Sequence, residues 1–103
     1  MEETFKKEIV QRITRNLLDI QILRLINKEP AWGYKIKKQL EATSGLKIRH
    51  GILYPTLNKL EKRGFIKSQK QQIGKRTRKT YTITQKGKNY LKAYQEILKE
   101  QMT

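Results

Sequence analysis

Asn58, Lys59 and Lys62 share one face of a segment that also carries Leu53, Leu57 and Leu60 at helical spacing. With the leucines turned inward, the opposite face presents Gly51, Pro55, Asn58, Lys59 and Lys62, and Tyr54 stands at the boundary. A helix with such a face suits the major groove of duplex DNA, where Asn pairs with adenine and Lys or Arg with guanine. The plain alternative is a solvated helix face with Tyr54 capping the core. A second cluster gathers Lys75, Arg76, Arg78 and Lys79, with Lys70 nearby. Like charges this close repel unless solvent or a polyanion relieves them, so the cluster suits phosphate contact or entry into a minor groove. Its alternative is a solvated basic loop.

Lys35, Lys37 and Lys38 lie in a preceding segment whose core face is Ile36 and Leu40. Lys35 and Lys38 point away from that face, as residues crossing a phosphate backbone would. Arg49 and His50 stand where the Leu53 helix begins. His50 is the only histidine, and the chain has no cysteine. Its expected place is beside a phosphate, because one imidazole without thiolates or clustered acids does not make a metal site. Trp32 and Tyr34 flank Gly33 and are read either as ligand contacts or as packing against the first helix. No paired carboxylates, no Ser/His/Asp set and no phosphate-binding glycine loop occur; Gly74-Lys75 and Gly87-Lys88 lack the Walker spacing. The reading is therefore not an enzyme, with no cofactor and no metal.

The charge balance agrees. Against 24 Lys and Arg stand 9 Asp and Glu, a formal net charge of +15. Between Lys62 and Gln95 there is no acidic residue. A one-sided field of this kind steers toward a polyanion. The opening MEETFKKEIVQR lacks the apolar centre of a signal peptide, and no apolar run reaches the length of a membrane span. A cytoplasmic protein with no membrane partner is expected.

The elements that must position these residues follow from periodicity. Residues 4–28 carry a helical stripe from Phe5, Ile9 and Ile13 to Leu17, Ile20, Leu23 and Ile26. Asn16 with Asp19 reads as an N-cap with a first-turn acid, so either a break near Arg15 or one long bent helix is expected, ended by Pro30. A second helix spans residues 33–43, with Thr43 below Ile36 and Leu40, and stops at Ser44-Gly45. A third spans 49–63, with Pro55 near its start and Gly64 at its end. Residues 65–69 and 79–83 read as strands joined by a basic tip, KQQIGKRTR. Thr84 can cap a last helix over 85–102, whose stripe is Leu91, Tyr94 and Leu98 flanked by Tyr90, Ile97 and Met102. Three helices, a hairpin and a helix give a mostly α fold with a small β-hairpin: a winged helix-turn-helix. No sheet beyond the hairpin is expected.

The runs GYKIKKQL, GILYPTLNKLEKRGFI and RKTYTITQKGKNYL resemble the PadR family of winged-helix transcriptional regulators over residues 17–98. The carriers of the resemblance are Leu53-Tyr54-Pro55-x-Leu57-x-x-Leu60-Glu61-x-x-Gly64 and Tyr81-x-x-Thr84-x-x-Gly87. The chain is similar to the short form, with one C-terminal helix. That resemblance implies a repressor of transcription dimerising through its terminal helices, and some short members bind aromatic drugs in a pore of the dimer. Arg49 and His50 replace the Ser or Thr that often caps the recognition helix. The last helix has no Trp, the aromatic that supports drug binding in some relatives, so the sequence lends a small-molecule effector no support.

The resulting expectation is a single domain over residues 1–103. It comprises an N-terminal helix (1–15), a winged-helix core (16–83) and a C-terminal dimerisation helix (84–103). Its partners are double-stranded DNA, as a palindromic operator, and a second copy of itself. The dimer contact falls on Phe5, Ile9, Ile13, Tyr90, Leu91, Tyr94, Ile97 and Leu98, because both stripes lie outside the core built on Leu53, Leu57 and Leu60. An architectural or replication protein on the same fold is the alternative within DNA binding, and an RNA- or ribosome-binding module the alternative outside it. Stacking aromatics on an open sheet would mark the latter.

Overall fold

The computed structural model describes residues 2–103. Five helices and three strands follow in the order α1 (Glu3–Asn16), α2 (Leu18–Lys28), β1 (Ala31–Trp32), α3 (Gly33–Ser44), α4 (His50–Lys62), β2 (Ile66–Ile73), β3 (Arg76–Ile83) and α5 (Gln85–Gln101). This is a winged helix-turn-helix, mostly α with a small antiparallel sheet.

The long N-terminal stripe divides into two helices at Leu17, whose backbone leaves helical geometry at φ −124° and ψ 44°. Asn16 is not the cap; it is the last residue of α1, and α2 begins without a side-chain cap. Asp19 accepts the neighbouring Ile20 amide instead, at 2.8 Å. Below this break α2 is the central post of the core, with Ile22 and Leu23 fully enclosed. Ile36 from α3, Leu53 and Leu57 from α4, and Ile66 from β2 close around it. Each such side chain, once buried, stabilises the fold by about 1.5–3 kcal/mol.

Helix α3 ends at Gly45 in the left-handed region, φ +75°. The residue that turns inward at its foot is Ser44 and not Thr43, which is exposed. The Ser44 hydroxyl donates to the Leu40 carbonyl at 2.7 Å and accepts the Leu46 amide at 3.1 Å, so burial costs it no hydrogen bond. In α4, Pro55 sits one turn in, on the exposed face; the carbonyl it leaves unpaired belongs to Gly51, also exposed.

The sheet departs from expectation twice. Its strands are longer, pairing from Ile66↔Ile83 out to Ile73↔Arg76, so the basic stretch is ordered ladder down to a turn at Gly74 and Lys75. Gly74 takes φ +60° there. Beyond Ser68 nearly every wing residue is exposed, so no alternation of apolar and polar residues marks the strands. Ala31 and Trp32 also form a third strand on the free edge of β3, opposite Tyr81 and Thr80.

Thr84 caps α5 as expected: its Oγ1 accepts the Gly87 amide at 3.0 Å and donates to the Gly64 carbonyl at 2.6 Å. Leu91 is buried in the core, packed within the single chain. It therefore does not belong to a face open to a partner, because the helix stripe was only partly free. Phe5, Ile9, Ile13, Ile97 and Leu98 are exposed, and Tyr90 and Tyr94 are half-buried.

Candidate nucleic-acid interface

Helix α4 turns Leu53, Leu57 and Leu60 into the core and leaves Gly51, Pro55, Asn58, Lys59 and Lys62 exposed. Nothing lies within 4 Å of the place a Cβ on Gly51 would occupy, so this end of the helix is open. Its N-cap residue, Arg49, makes no side-chain cap bond. The His50 ring stacks on Tyr54 at 5.4 Å between centroids and 14° from parallel. Tyr54 in turn lies on Gly33: a Cβ there would come within 2.8 Å of the Tyr54 hydroxyl. The missing side chain at the start of α3 thus lets α3 and α4 close on each other.

Beside α4, the inner side of the wing forms a cleft of about 630 Å³, lined by Trp32, Tyr34, Tyr54, Asn58, Arg76 and Arg78 among others, and by no carboxylate. Arg76, Lys75, Lys79 and Lys70 are exposed on the wing. Arg78 differs: it is half-buried, with its guanidinium carbon 4.1 Å from the centroid of Trp32. The structure thus brings Tyr54 and Asn58 from α4 together with Arg76, Arg78 and Lys79 from β3.

The lysines of α3 stand apart. Lys35 already donates to Glu29 at 2.8 Å. That hydrogen bond, with the Lys35 charge, holds the Glu29 carboxyl below its usual range. Lys38 lies 3.8 Å from Glu41 and 5.3 Å from the Tyr34 ring centroid. Glu41 is held below the ordinary carboxylate range mainly by the Ile48 amide that donates to it at 2.8 Å, with Lys37, Lys38 and Lys47 adding to the effect. These contacts tie α3 to its own loops and leave less free charge than the sequence suggests. Behind the site, burial pushes the Tyr81 phenol up, with Glu61 and Tyr54 adding to the shift.

Two features escape sequence reasoning. Trp32 belongs to the sheet and faces the wing, a placement that only the β1–β3 pairing reveals. Arg63, at the end of α4, lies over Phe65 at 4.6 Å and Tyr90 at 5.2 Å, so it joins α4 to α5. No group of three or more His, Cys, Asp or Glu able to hold a metal ion occurs among the described residues. No described helix is long and apolar enough to cross a membrane.

Residues 22–93 match the PadR-like family of transcriptional regulators, and the chain belongs to that family. It is 36% identical over 93 residues to an uncharacterised protein of Lysinibacillus sphaericus, covering 85% of this chain and 81% of that one. Among solved structures, it is similar to a PadR-like transcription factor of Bacteroides fragilis (26% identity, TM-score 0.78, 90% of each chain). It is also similar to Bacillus subtilis PadR in complex with operator DNA (33% identity, TM-score 0.70), over 77% of this chain and 45% of that one.

Proposed function

We propose that this chain is a sequence-specific DNA-binding regulator of transcription, a repressor that acts as a homodimer on a palindromic operator. One observation carries the reading: the exposed face of α4 and the inner side of the wing meet at a basic cleft without a carboxylate. Side chains of α4 read base edges while Lys75, Arg76 and Lys79 hold phosphates. The operator complex of the Bacillus subtilis relative supports this assignment. In this reading residues 16–83 carry the DNA contacts, and α1 and α5 supply the partner surface. Catalysis has no place in it, and the cytoplasm is where such a regulator works.

The dimer reading rests on exposed apolar side chains. Ile97 and Leu98 are 56% and 40% exposed, and with Tyr90, Ala93 and Tyr94 they line a shallow apolar groove on α5. Phe5 and Ile9, on α1, are 57% and 49% exposed. In one chain these stripes stay in water, and a second copy related by a two-fold axis would cover them.

The experiment is a salt titration of duplex binding by the wild type and Arg76→Gln. Affinity is expected to fall steeply with salt, and the variant to lower the slope by about one unit for its lost phosphate contact. Equal affinity and slope in the two proteins would take the wing out of the mechanism, and preference for folded RNA over duplex DNA would overturn the reading.

A further inference from the structure

Trp32 and Arg78 are joined across the small sheet. Trp32 is paired with Thr80, so Arg78, two residues along the same strand, stands diagonal to it on the same face. The guanidinium lies over the indole at 4.1 Å. Tyr34 flanks the indole, with ring centroids 5.6 Å apart and planes tilted by 41°. Arg78 Nε is covered from solvent and has no hydrogen-bond partner among the described residues. No carboxylate lines the cleft that Arg78 shares with Tyr54, Asn58 and Arg76, so its charge is uncompensated there. The neighbouring wing cations Lys75, Arg76 and Lys79 are exposed.

A free arginine gives up its rotamer freedom when it grips an anion; one already stacked on a ring has given up much of it during folding. Stacking covers a face of the guanidinium plane, while the N–H groups at its edge are what bind an oxyanion in a fork.

We propose that Trp32 is a positioning residue that pre-orders Arg78 as a fork for one phosphate oxyanion of the DNA backbone, in the cleft between α4 and the wing. The proposal rests on the DNA-binding reading and adds to it which wing cation is fixed in advance and by what. Arg78 is the residue that touches phosphate; Trp32 acts through it. Inorganic phosphate carries the same oxyanion, so the two sources must be separated by experiment.

Trp32 is the only tryptophan in the chain, so its emission reports on this site alone. The test titrates wild type, Trp32→Phe, Trp32→Leu, Arg78→Gln, Trp32→Leu/Arg78→Gln and Trp32→Leu/Arg76→Gln with a labelled duplex carrying the preferred site. DNA anisotropy gives affinity, Trp32 emission gives occupancy of the cleft, and thermal melting checks each fold. Trp32→Leu and Arg78→Gln are each expected to weaken binding about tenfold. Their double variant is expected to bind no worse than Arg78→Gln, Trp32→Phe to keep most of the affinity, and the Trp32→Leu/Arg76→Gln losses to multiply. Wild-type emission is expected to shift on DNA binding, whereas that of Arg78→Gln stays fixed at saturating DNA. Should Trp32→Leu fail to fold, Trp32→Phe and the emission of Arg78→Gln decide.

Independent losses for Trp32→Leu and Arg78→Gln, or unchanged wild-type emission on DNA binding, overturn the proposal while leaving DNA binding intact. An emission shift with millimolar inorganic phosphate that duplex does not compete away overturns it in favour of a small-anion site. A wild type that binds no duplex overturns both this inference and the function it rests on.

Discussion

The carbonyl oxygen of Phe65 occupies the place that a Cβ on Gly87 would take. The same carbonyl accepts the Thr84 amide at 3.0 Å, and Thr84 Oγ1 accepts the Gly87 amide. The run Tyr81-x-x-Thr84-x-x-Gly87 therefore has a physical meaning. Tyr81 is buried opposite Ala31, Thr84 caps α5 against the end of α4, and Gly87 lets the first turn of α5 touch the start of β2. Gly87→Ala must displace backbone and is expected to cost about 1–3 kcal/mol. Urea unfolding of Gly87→Ala beside Gly51→Ala, where the added methyl meets open space, checks this. Equal midpoints for the two variants would contradict it.

Asn58 and Lys59 are both exposed on α4, Asn58 in the cleft beside the wing and Lys59 on the side toward Arg15 and Asp19. Asn58→Ala and Lys59→Ala are expected to relax sequence preference, at about 1–3 kcal/mol for each lost base contact. The check compares binding to the preferred site with binding to random duplex. If both variants keep the full ratio, this face does not read bases.

The helices were legible in the sequence because each carries an apolar stripe at helical spacing, which α4 buries with Leu53, Leu57 and Leu60 and α1 leaves exposed with Phe5, Ile9 and Ile13. What was hidden has local causes. Strand β1 is two residues long, and nothing in Ala31-Trp32 tells of pairing with Tyr81 and Thr80. Apart from Arg78 the outer wing is exposed, and it carries no alternation of apolar and polar residues to mark its pairing. Leu91 carries the right apolar signal, but a stripe does not say whether the same chain or another one covers it; here the core does. The basic residues of the site were legible by type, and the stacking that sets Arg78 apart from Arg76 was not, since it depends on β1.

Ile97 and Leu98 stand in water in the single chain. Leu98→Glu places a charge in the proposed dimer contact and removes the burial of a Leu, about 1.5–3 kcal/mol. Sedimentation equilibrium at micromolar concentration is expected to find a dimeric wild type and a folded monomeric variant with weaker DNA binding. A wild type that is folded and monomeric would remove the dimer from the account.

Glu41 ties α3 to the loop before α4 by accepting the Ile48 amide at 2.8 Å. Its folded-state pKa is lowered, chiefly by that bond. Its contribution to stability is therefore present above the ordinary carboxylate range and is lost as pH falls through the lowered value. Glu41→Gln keeps an acceptor oxygen and does not titrate. Its melting temperature is expected to fall less than that of the wild type between neutral pH and about pH 3. Parallel curves for the two proteins would show that Glu41 has no part in the acid response.

A regulator of this kind recognises one specific sequence as a two-fold pair of chains. Selection of bound sites from a random duplex library, repeated with Asn58→Ala, measures that property. Enrichment of one palindromic site with half-sites about one helical turn apart is expected, with a looser consensus for the variant. Strong salt-dependent binding without any enriched sequence would contradict it and leave an architectural DNA-binding protein in its place.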